Sequence, residues 1–392
     1  MFDFDTVIDR YDTDSLKWDY AAKRGVPTDV LPMWVADMDW QAPPAVRQAL
    51  ADAAQFGIFG YSDTRDDYDA ILADWFTRYF DWTPEPDWLV KTPGVVPAVY
   101  MAVRAFTEPG DAVLIQSPVY YPFREAIHDT GRSLVTNPLV YNTDADRYDI
   151  DFDDFEAKVA DPSVKLFILC SPHNPVCRVW TRDELARMAS LCREHDVIVC
   201  SDEIHMDFVF PGNRHTVFAA LDPQDAQNCV VATAPSKTFN CAGLQLANVF
   251  IPNPELRVRY RRAYVAAGLS QPGLMGIVAC KAAYTQGRPW LDEMLVYLQG
   301  NFDALASGID GLGIGAHMLK PQGTYLAWVD FSCLNMKPRE LDDWMIHRAK
   351  LWLDGGTMFG PEGAGFQRFN LACPRATVQE AIERIRHALN LP

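Results

Sequence analysis

The chain has 392 residues, of which 49% are hydrophobic, so it can bury a large core and form two domains. A formal net charge of −17 argues against non-specific binding to nucleic acid or to an anionic membrane, because both require a basic surface. The sequence shows neither a signal peptide nor an apolar run that could span a bilayer. Nine cysteines without a Cys-x-x-Cys pair predict reduced thiols and a cytoplasmic location.

The first candidate site in chain order is a turn that precedes a predicted helix. Gly94 ends the turn at residues 92–94, and apolar residues then recur at helical spacing up to Phe106. Free backbone N–H groups at a helix start bind anions, and a glycine there allows a phosphate to approach closely. A glycine turn before a helix is also common without any ligand.

A strand is predicted at Ala112–Gln116, and Tyr120 follows it shortly afterwards. An aromatic ring just beyond a strand can stack on a flat ligand ring. The alternative is an ordinary aromatic residue of the core.

The clearest strand–helix–strand unit follows. The apolar run Lys165–Cys170 leads into a loop, and Thr181 and Glu184 then have the spacing of a capping box at a helix start. The next strand is predicted at Val197–Cys200. Two strands joined by a helix in so few residues predict a parallel pair with a right-handed crossover.

Polar residues follow both of these strands. Asn174 lies in the first loop, and Asp202 and His205 come directly after the second strand. In an open α/β sheet, the carboxyl ends of the strands line the ligand crevice. Asn174 could donate to an anionic oxygen there, and Asp202 could keep a ring nitrogen protonated. Simple turn and cap roles are the alternatives.

Lys237 follows an apolar strand predicted at Val230–Thr233. A lysine at a strand end can be partly desolvated, which favours the neutral amine that a Schiff base requires. This pattern alone is weak evidence for a Schiff-base lysine, because most lysines lie on the surface. Ser236 next to Lys237 also occurs in Ser/Lys hydrolases, but no other part of that machinery is evident.

The last third of the chain suggests a smaller domain. Gly311–Gly315 lacks the Gly-x-Gly-x-x-Gly order of a dinucleotide site and is typical of a turn before a strand. Thr377 and Glu380 have the spacing of a capping box for a C-terminal helix. We expect a large α/β domain at residues 46–288, and a smaller domain made of residues 1–45 and 289–392.

In order and spacing, the segments around Asn174, Asp202 and Lys237 resemble the fold-type I enzymes that depend on pyridoxal 5′-phosphate (PLP), in particular the class I/II aminotransferase family. The resemblance covers nearly the whole chain. It implies an aspartate aminotransferase-like fold: a large α/β domain with a mainly parallel sheet, plus a smaller α+β domain. It also implies that Lys237 holds PLP as a Schiff base, that Asp202 pairs with the pyridine nitrogen, and that Asn174 donates to the phenolic oxygen.

The same resemblance implies further cofactor contacts. Tyr120 would stack on the pyridine ring, and the phosphate would be surrounded by Gly94, Val95, Val96 and Ser236. Many relatives carry an arginine for the phosphate in a Gly-Leu-Arg-like context, where this chain has Gln245. Phosphate binding would then depend on backbone N–H groups, Ser236 and Tyr61.

Three segments resemble the MalY/PatB group of cystathionine β-lyases: Pro32–Trp40, Asp202–His205 and Phe366–Arg375. By this resemblance His205 would contact the phenolic oxygen of PLP, a structural histidine being an equal alternative. Arg368 would bind the substrate carboxylate through two parallel hydrogen bonds, with Arg375 as the second candidate.

The remaining residues implied by the resemblance are Ala36, at the substrate, and Tyr61, at both cofactor and substrate. Tyr61 resembles a tyrosine that the family inserts from the neighbouring subunit. The resemblance therefore implies a homodimer with shared active sites.

The activity implied is a carbon–sulfur β-lyase that converts cystathionine or other cysteine S-conjugates to a thiol, pyruvate and ammonia, with Lys237 removing the Cα proton. A PLP-dependent aminotransferase is the nearest alternative, and a non-catalytic regulator that keeps the fold is the second. We expect a small-molecule sulfur amino acid as substrate, and neither nucleic acid nor membrane as partner. We expect no metal, since His205 and His215 lack a supporting ligand cluster. The physiological thioether and the acid that assists the leaving thiolate stay open.

Overall fold

The computed structural model describes residues 1–391. Its strands are β1 (Leu31–Pro32), β2 (Leu89–Thr92), β3 (Ala112–Ile115), β4 (Ser133–Thr136), β5 (Val140–Asn142), β6 (Arg147–Asp149), β7 (Val164–Cys170), β8 (Ile198–Asp202), β9 (Cys229–Thr233), β10 (Ala247–Phe250), β11 (His317–Met318), β12 (Leu326–Asp330), β13 (Leu351–Trp352), β14 (Asp354–Gly355) and β15 (Phe366–Asn370). Its α-helices are α1 (Pro44–Phe56), α2 (Asp66–Phe80), α3 (Val95–Phe106), α4 (Pro122–Asp129), α5 (Phe152–Val159), α6 (Arg182–Glu194), α7 (Pro223–Ala226), α8 (Pro235–Thr238), α9 (Pro254–Ala266), α10 (Leu274–Gln286), α11 (Arg288–Asp310), α12 (Pro338–His347) and α13 (Arg375–Ala388).

The central sheet has seven strands in the order β2-β10-β9-β8-β7-β3-β4. Only β10 runs antiparallel to its neighbours, so the sheet is mainly parallel, as the sequence predicts. The strands β7, β8 and β9 are adjacent and parallel, so their carboxyl ends meet at one edge. The segments that carry Asn174, Asp202 and Lys237 leave the sheet at that edge.

Both faces of the central sheet are buried. Along β7, Leu166 and Ile168 pack into one apolar cluster, while Phe167 and Leu169 pack into another on the opposite face. This alternation explains why the strand reads as a continuous apolar run: helices cover a parallel sheet on both sides. The predicted crossover from β7 through α6 to β8 is confirmed, and β8 extends to Asp202, two residues further than the sequence suggested.

A smaller, antiparallel sheet forms from the C-terminal part of the chain, in the order β11-β12-β15-β14. The short strand β1 pairs in parallel with β13 and so ties the N-terminal segment to this part of the molecule. The two sheets give the expected combination of a large, mainly parallel α/β unit and a smaller α+β unit. Among residues 1–391, no helix is both long and apolar enough to cross a membrane.

Two helix starts were predicted as capping boxes, and one is confirmed. The Thr181 hydroxyl accepts from the Glu184 backbone N–H at 3.2 Å, and the Glu184 carboxylate accepts from the Thr181 N–H at 2.7 Å. The box at Thr377 is wrong, because α13 begins at Arg375 and Thr377 lies inside its first turn. Pro374 stands at the N-cap, and its fixed backbone angle explains the earlier start.

Replacing Thr181 by alanine removes a hydroxyl that satisfies a free N–H of α6. We expect T181A to lower the free energy of unfolding by about 1 kcal/mol. T181S keeps the hydroxyl and should stay close to the parent, and both can be compared by equilibrium urea unfolding. Equal stability of T181A and the parent would contradict the capping role.

Candidate active site

A cavity of about 170 Å³ lies at the carboxyl ends of β7, β8 and β9. Every cofactor-binding residue predicted from the sequence lines it except Tyr61, and Ala36 lines it as well. Cys170, at the end of β7, was not predicted but also contributes to the wall. Residues from six separate segments therefore converge on one space.

Lys237 projects its amine into this cavity from α8. Its Nζ donates to the carbonyl oxygen of Ala36 at 2.5 Å, and no carboxylate within residues 1–391 lies at ion-pair distance. Burial disfavours the ammonium form and lowers the pKa of Lys237 to about 8, although the charge of Asp37 opposes this shift. A substantial fraction of the amine is thus neutral near physiological pH.

Asp202, the last residue of β8, is a buried carboxyl without a salt bridge in the described chain. Its Oδ1 accepts from the backbone N–H of Ile204 at 3.1 Å. Burial raises the pKa of Asp202 to about 7, against that hydrogen bond and the charge of Lys237. A cationic group bound next to this carboxyl would be strongly favoured, because it would offset the loss of hydration.

Arg368, on β15, connects the cavity wall to the smaller sheet. Its Nη1 donates to the Asn174 Oδ1 at 3.1 Å, its Nη2 donates to the Trp34 carbonyl at 2.7 Å, and the same Nη2 pairs with Asp354. Asp354 lies opposite Arg368 in the β14–β15 register, so the pair is a cross-strand pair. The Arg368 Nε has no acceptor within residues 1–391 and therefore keeps a donor for a ligand.

Arg375, the alternative carboxylate ligand, lies elsewhere. Its Nε donates to the Asn301 Oδ1 at 2.5 Å and its Nη2 donates to the Tyr297 carbonyl at 3.1 Å. The guanidinium also stacks on the Tyr297 ring. These contacts attach the start of α13 to α11. Neither Arg375 nor Arg368 lines the cavity itself, but Arg368 donates to Asn174 of the cavity wall and Arg375 contacts no residue of that wall.

His205 and Tyr120 supply the aromatic walls. The His205 ring is buried, packs edge-on against Tyr325 at 5.5 Å, and its Nδ1 has no partner in the described chain. Burial lowers the pKa of His205 well below its usual range, so the imidazole is neutral. Burial also raises the pKa of Tyr120, which therefore stays a phenol.

The opposite end of the cavity suits an anion. Gly94 adopts φ 147°, a conformation that side chains with a Cβ rarely reach, and α3 begins at the next residue. No side chain caps this 12-residue helix, so the N–H groups of Val95 and Val96 are available. The Ser236 hydroxyl lies in the same wall.

Tyr61 is not brought to the cavity within one chain. The residue is fully exposed and lines a separate groove together with Gln245, the residue that replaces the phosphate arginine of many relatives. His215, considered for a metal, instead pairs with the buried carboxylate of Glu203 at 2.8 Å.

Two residues at the site were missed from the sequence. The Tyr325 hydroxyl donates to the Ala36 carbonyl at 2.8 Å, the same oxygen that Lys237 contacts. The partly buried Asp207 accepts from the Thr238 hydroxyl at 2.7 Å and so joins the segment of Asp202 to the helix of Lys237. The position of Asp207 five residues after Asp202 was a usable signal, whereas nothing in the spacing marked Tyr325.

Comparison with known proteins defines the class to which this fold and cavity belong. The family described as aminotransferase class I and II matches residues 28–385, so the chain belongs to that family, and the predicted fold class and family are confirmed. The chain is 43% identical to the cystathionine beta-lyase PatB of Bacillus subtilis, over 99% of this chain and 100% of that protein.

Two solved structures that contain PLP are similar to this chain over nearly its whole length. Cystalysin from Treponema denticola, which contains a pyridoxal 5′-phosphate cofactor, superimposes with a TM-score of 0.96 at 38% identity and covers 100% of this chain and 99% of that one. The PLP-bound C-S lyase from Staphylococcus hominis has a TM-score of 0.91 at 32% identity and covers 99% of this chain and 98% of that one.

The lowered pKa of Lys237 gives a testable pH dependence. In cofactor-free protein, we expect reductive methylation of Lys237 to rise steeply with pH up to about 8 and then level off, because the reactive form is the neutral amine. Ordinary lysines should continue to gain reactivity to about pH 10. Peptide mass spectrometry after short labelling would compare them, and a parallel rise of Lys237 beyond pH 9 would contradict the desolvated site.

Proposed function

We propose that this chain is a PLP-dependent carbon–sulfur β-lyase that converts cystathionine and other cysteine S-conjugates to a thiol, pyruvate and ammonia. One observation carries the proposal: a buried amine and a buried carboxyl share one cavity, in a chain 43% identical over its full length to a cystathionine β-lyase.

The groups around the cavity fit PLP. Asp202, which lacks an ion-pair partner in the described chain, would pair with the protonated ring nitrogen, and the Lys237 amine would react with the aldehyde. The N–H groups of Val95 and Val96, with the Ser236 hydroxyl, match the phosphate. Tyr120 would stack on the ring, and Asn174 and His205 would hold the phenolic oxygen.

When bound, PLP supplies an electron sink for the pair of electrons left at Cα after proton removal. Asp202 maintains this capacity by holding the ring nitrogen protonated. The carboxyl is well suited to the task. Burial raises its pKa to about 7, so a positive charge placed beside it strongly favours the ionised form.

Lys237 acts as the base that removes the Cα proton. A pKa of about 8 places the amine close to the operating pH, where a general base is most effective. The Ala36 carbonyl holds the Lys237 Nζ at 2.5 Å, and the Tyr325 hydroxyl donates to that carbonyl, so the amine starts from a defined position.

Arg368 binds the α-carboxylate of the substrate. Its Nε–H lacks an acceptor, while its other two nitrogens donate to Asn174 and Asp354, which fixes the guanidinium. A planar guanidinium meets a carboxylate with two parallel hydrogen bonds, which sets the direction of the Cα–H bond relative to Lys237. The Cβ–S bond can then break as the Cα proton leaves, and the sulfur departs as a thiolate.

A homodimer would complete the site. Tyr61 is fully exposed, and its neighbours Phe56, Ile58 and Phe59 are exposed as well. Such an apolar segment is typical of a protein interface. In the proposed dimer, Tyr61 of each chain reaches the cofactor phosphate and the substrate of the other.

Two further features belong to the proposal. Residues 46–288 form the large domain, and residues 1–45 with 289–392 form the small domain; the strands of the central sheet lie within 89–250 and those of the smaller sheet within 317–370. The protein acts in the cytoplasm, where its free thiols stay reduced.

Pyruvate release from L-cystathionine, with PLP and without any keto acid, tests the activity. We expect sustained pyruvate formation over many turnovers, and none from K237A, which lacks the base. A single turnover that halts until a keto acid is added would instead identify an aminotransferase, the nearest alternative.

The carboxylate role of Arg368 can be separated from a structural role. R368K keeps a charge beside the buried Asp354 but cannot bind a carboxylate in two-point fashion, so we expect KM for L-cystathionine to rise about tenfold or more. R375K is the matched control, since Arg375 contacts no residue of the cavity wall, and its KM should stay near that of the parent. A larger effect of R375K than of R368K would reverse the assignment.

A further inference from the structure

An exposed arginine without an acidic partner lies near Arg368. Arg24 ends the short 3₁₀ helix Ala22–Arg24, and its guanidinium carbon lies 4.7 Å from the centre of the Trp34 ring. The chain carries 52 acidic residues, yet within residues 1–391 none forms an ion pair with Arg24. The positive charge is therefore held on an aromatic surface and remains available to an anion.

Trp34 links Arg24 to the substrate-binding arginine. The Trp34 carbonyl accepts from the Arg368 Nη2 at 2.7 Å, and its ring stacks on Trp352 with centroids 4.5 Å apart. Trp34 is only 7% exposed, but its indole Nε1, which can only donate, has no acceptor in the described chain. A buried N–H without an acceptor is unfavourable, so this donor also points to an anionic ligand.

Two titratable groups, Asp354 and Tyr121, lie within reach of the charge of Arg24. Burial raises the pKa of Asp354, and the charges of Arg368 and, less strongly, Arg24 oppose the rise. Burial also raises the pKa of Tyr121, and Arg24 again opposes it. Tyr121 adjoins Tyr120, which lines the cavity, whereas Arg24 and Trp34 lie outside the lining.

We propose that Arg24, stacked on Trp34, is a specificity-determining residue that binds a carboxylate on the sulfur-linked half of the substrate. The inference rests on the proposed lyase function. Arg368 would bind the carboxylate of the cysteine half, while Arg24 and the Trp34 Nε1 would bind a second carboxylate beyond the sulfur. The favoured substrates are then cysteine thioethers whose leaving thiol carries a carboxylate. The bonds broken are those of the proposed reaction.

The competing explanation is that Arg24 only covers the Trp34 ring with its alkyl stem. In that case its loss would affect all substrates alike through stability. Two substrates of similar size separate the explanations: S-(3-carboxypropyl)-L-cysteine carries the distal carboxylate, and S-butyl-L-cysteine does not.

The experiment measures pyruvate release by the PLP-loaded enzyme for both thioethers. We expect R24Q to lower kcat/KM for the carboxypropyl substrate about tenfold, through KM, and to leave the butyl substrate within about twofold. Lys23 is the matched control, because it lies in the same turn but stacks on Tyr20. K23Q should leave both substrates within about twofold. W34F, which keeps a ring but loses the donor, should act like R24Q but more weakly.

Three results would overturn the proposal. They are an equal loss on both substrates in R24Q, no loss on either, or a loss in K23Q as selective as that in R24Q, which would indicate net charge alone. Failure of the parent enzyme to release pyruvate from either thioether would instead remove the lyase function on which the inference rests.

Discussion

Burial of charge without an ion-pair partner is the condition on which this active site depends. Lys237 and Asp202 both lie in the cavity, and each is denied a counter-ion within residues 1–391, so burial moves both pKa values towards neutrality. This burial destabilises the ligand-free protein, and the destabilisation is offset when a ligand supplies the missing counter-ion. Arg368 differs from these two residues, because it forms an ion pair with Asp354. It would contribute to the site through the fixed position of its guanidinium and not through a change of protonation.

The sequence predicted the part of the site that follows strand ends. Asn174, Asp202 and Lys237 each come after an apolar run, and adjacent parallel strands must deliver their carboxyl ends to one edge. A strand end can be recognised from a few neighbouring residues, and the rule holds for any parallel sheet. Three residues far apart in the sequence could therefore be assigned to one cavity. The resemblance to a family then added the cofactor and the reaction, which spacing alone left open among several chemistries.

The contacts that could not be predicted join distant segments. The Tyr325 hydroxyl reaches the Ala36 carbonyl, and Arg368 reaches the Trp34 carbonyl, only because the smaller sheet packs against the N-terminal segment. No periodicity in the sequence indicates that packing. The proposal that Arg368 rather than Arg375 binds the carboxylate likewise draws on contacts between distant segments, such as that of Arg368 with Asn174. The error at Thr377 was of another kind: Pro374, at the N-cap directly before the helix, outweighed a matching cap motif.

The pairing of β1 with β13 bears on how the enzyme matures. The hydrogen bond from Arg368 to the Trp34 carbonyl joins residues 334 positions apart, and the same short N-terminal stretch presents the Ala36 carbonyl to Lys237. During synthesis, the lysine and the central sheet can emerge and fold while the carboxylate-binding half is still on the ribosome. The residues that would hold the cofactor all precede Arg368 in the chain. The group proposed to orient the substrate is therefore synthesised after them, and substrate recognition would be the last property of the site to arise.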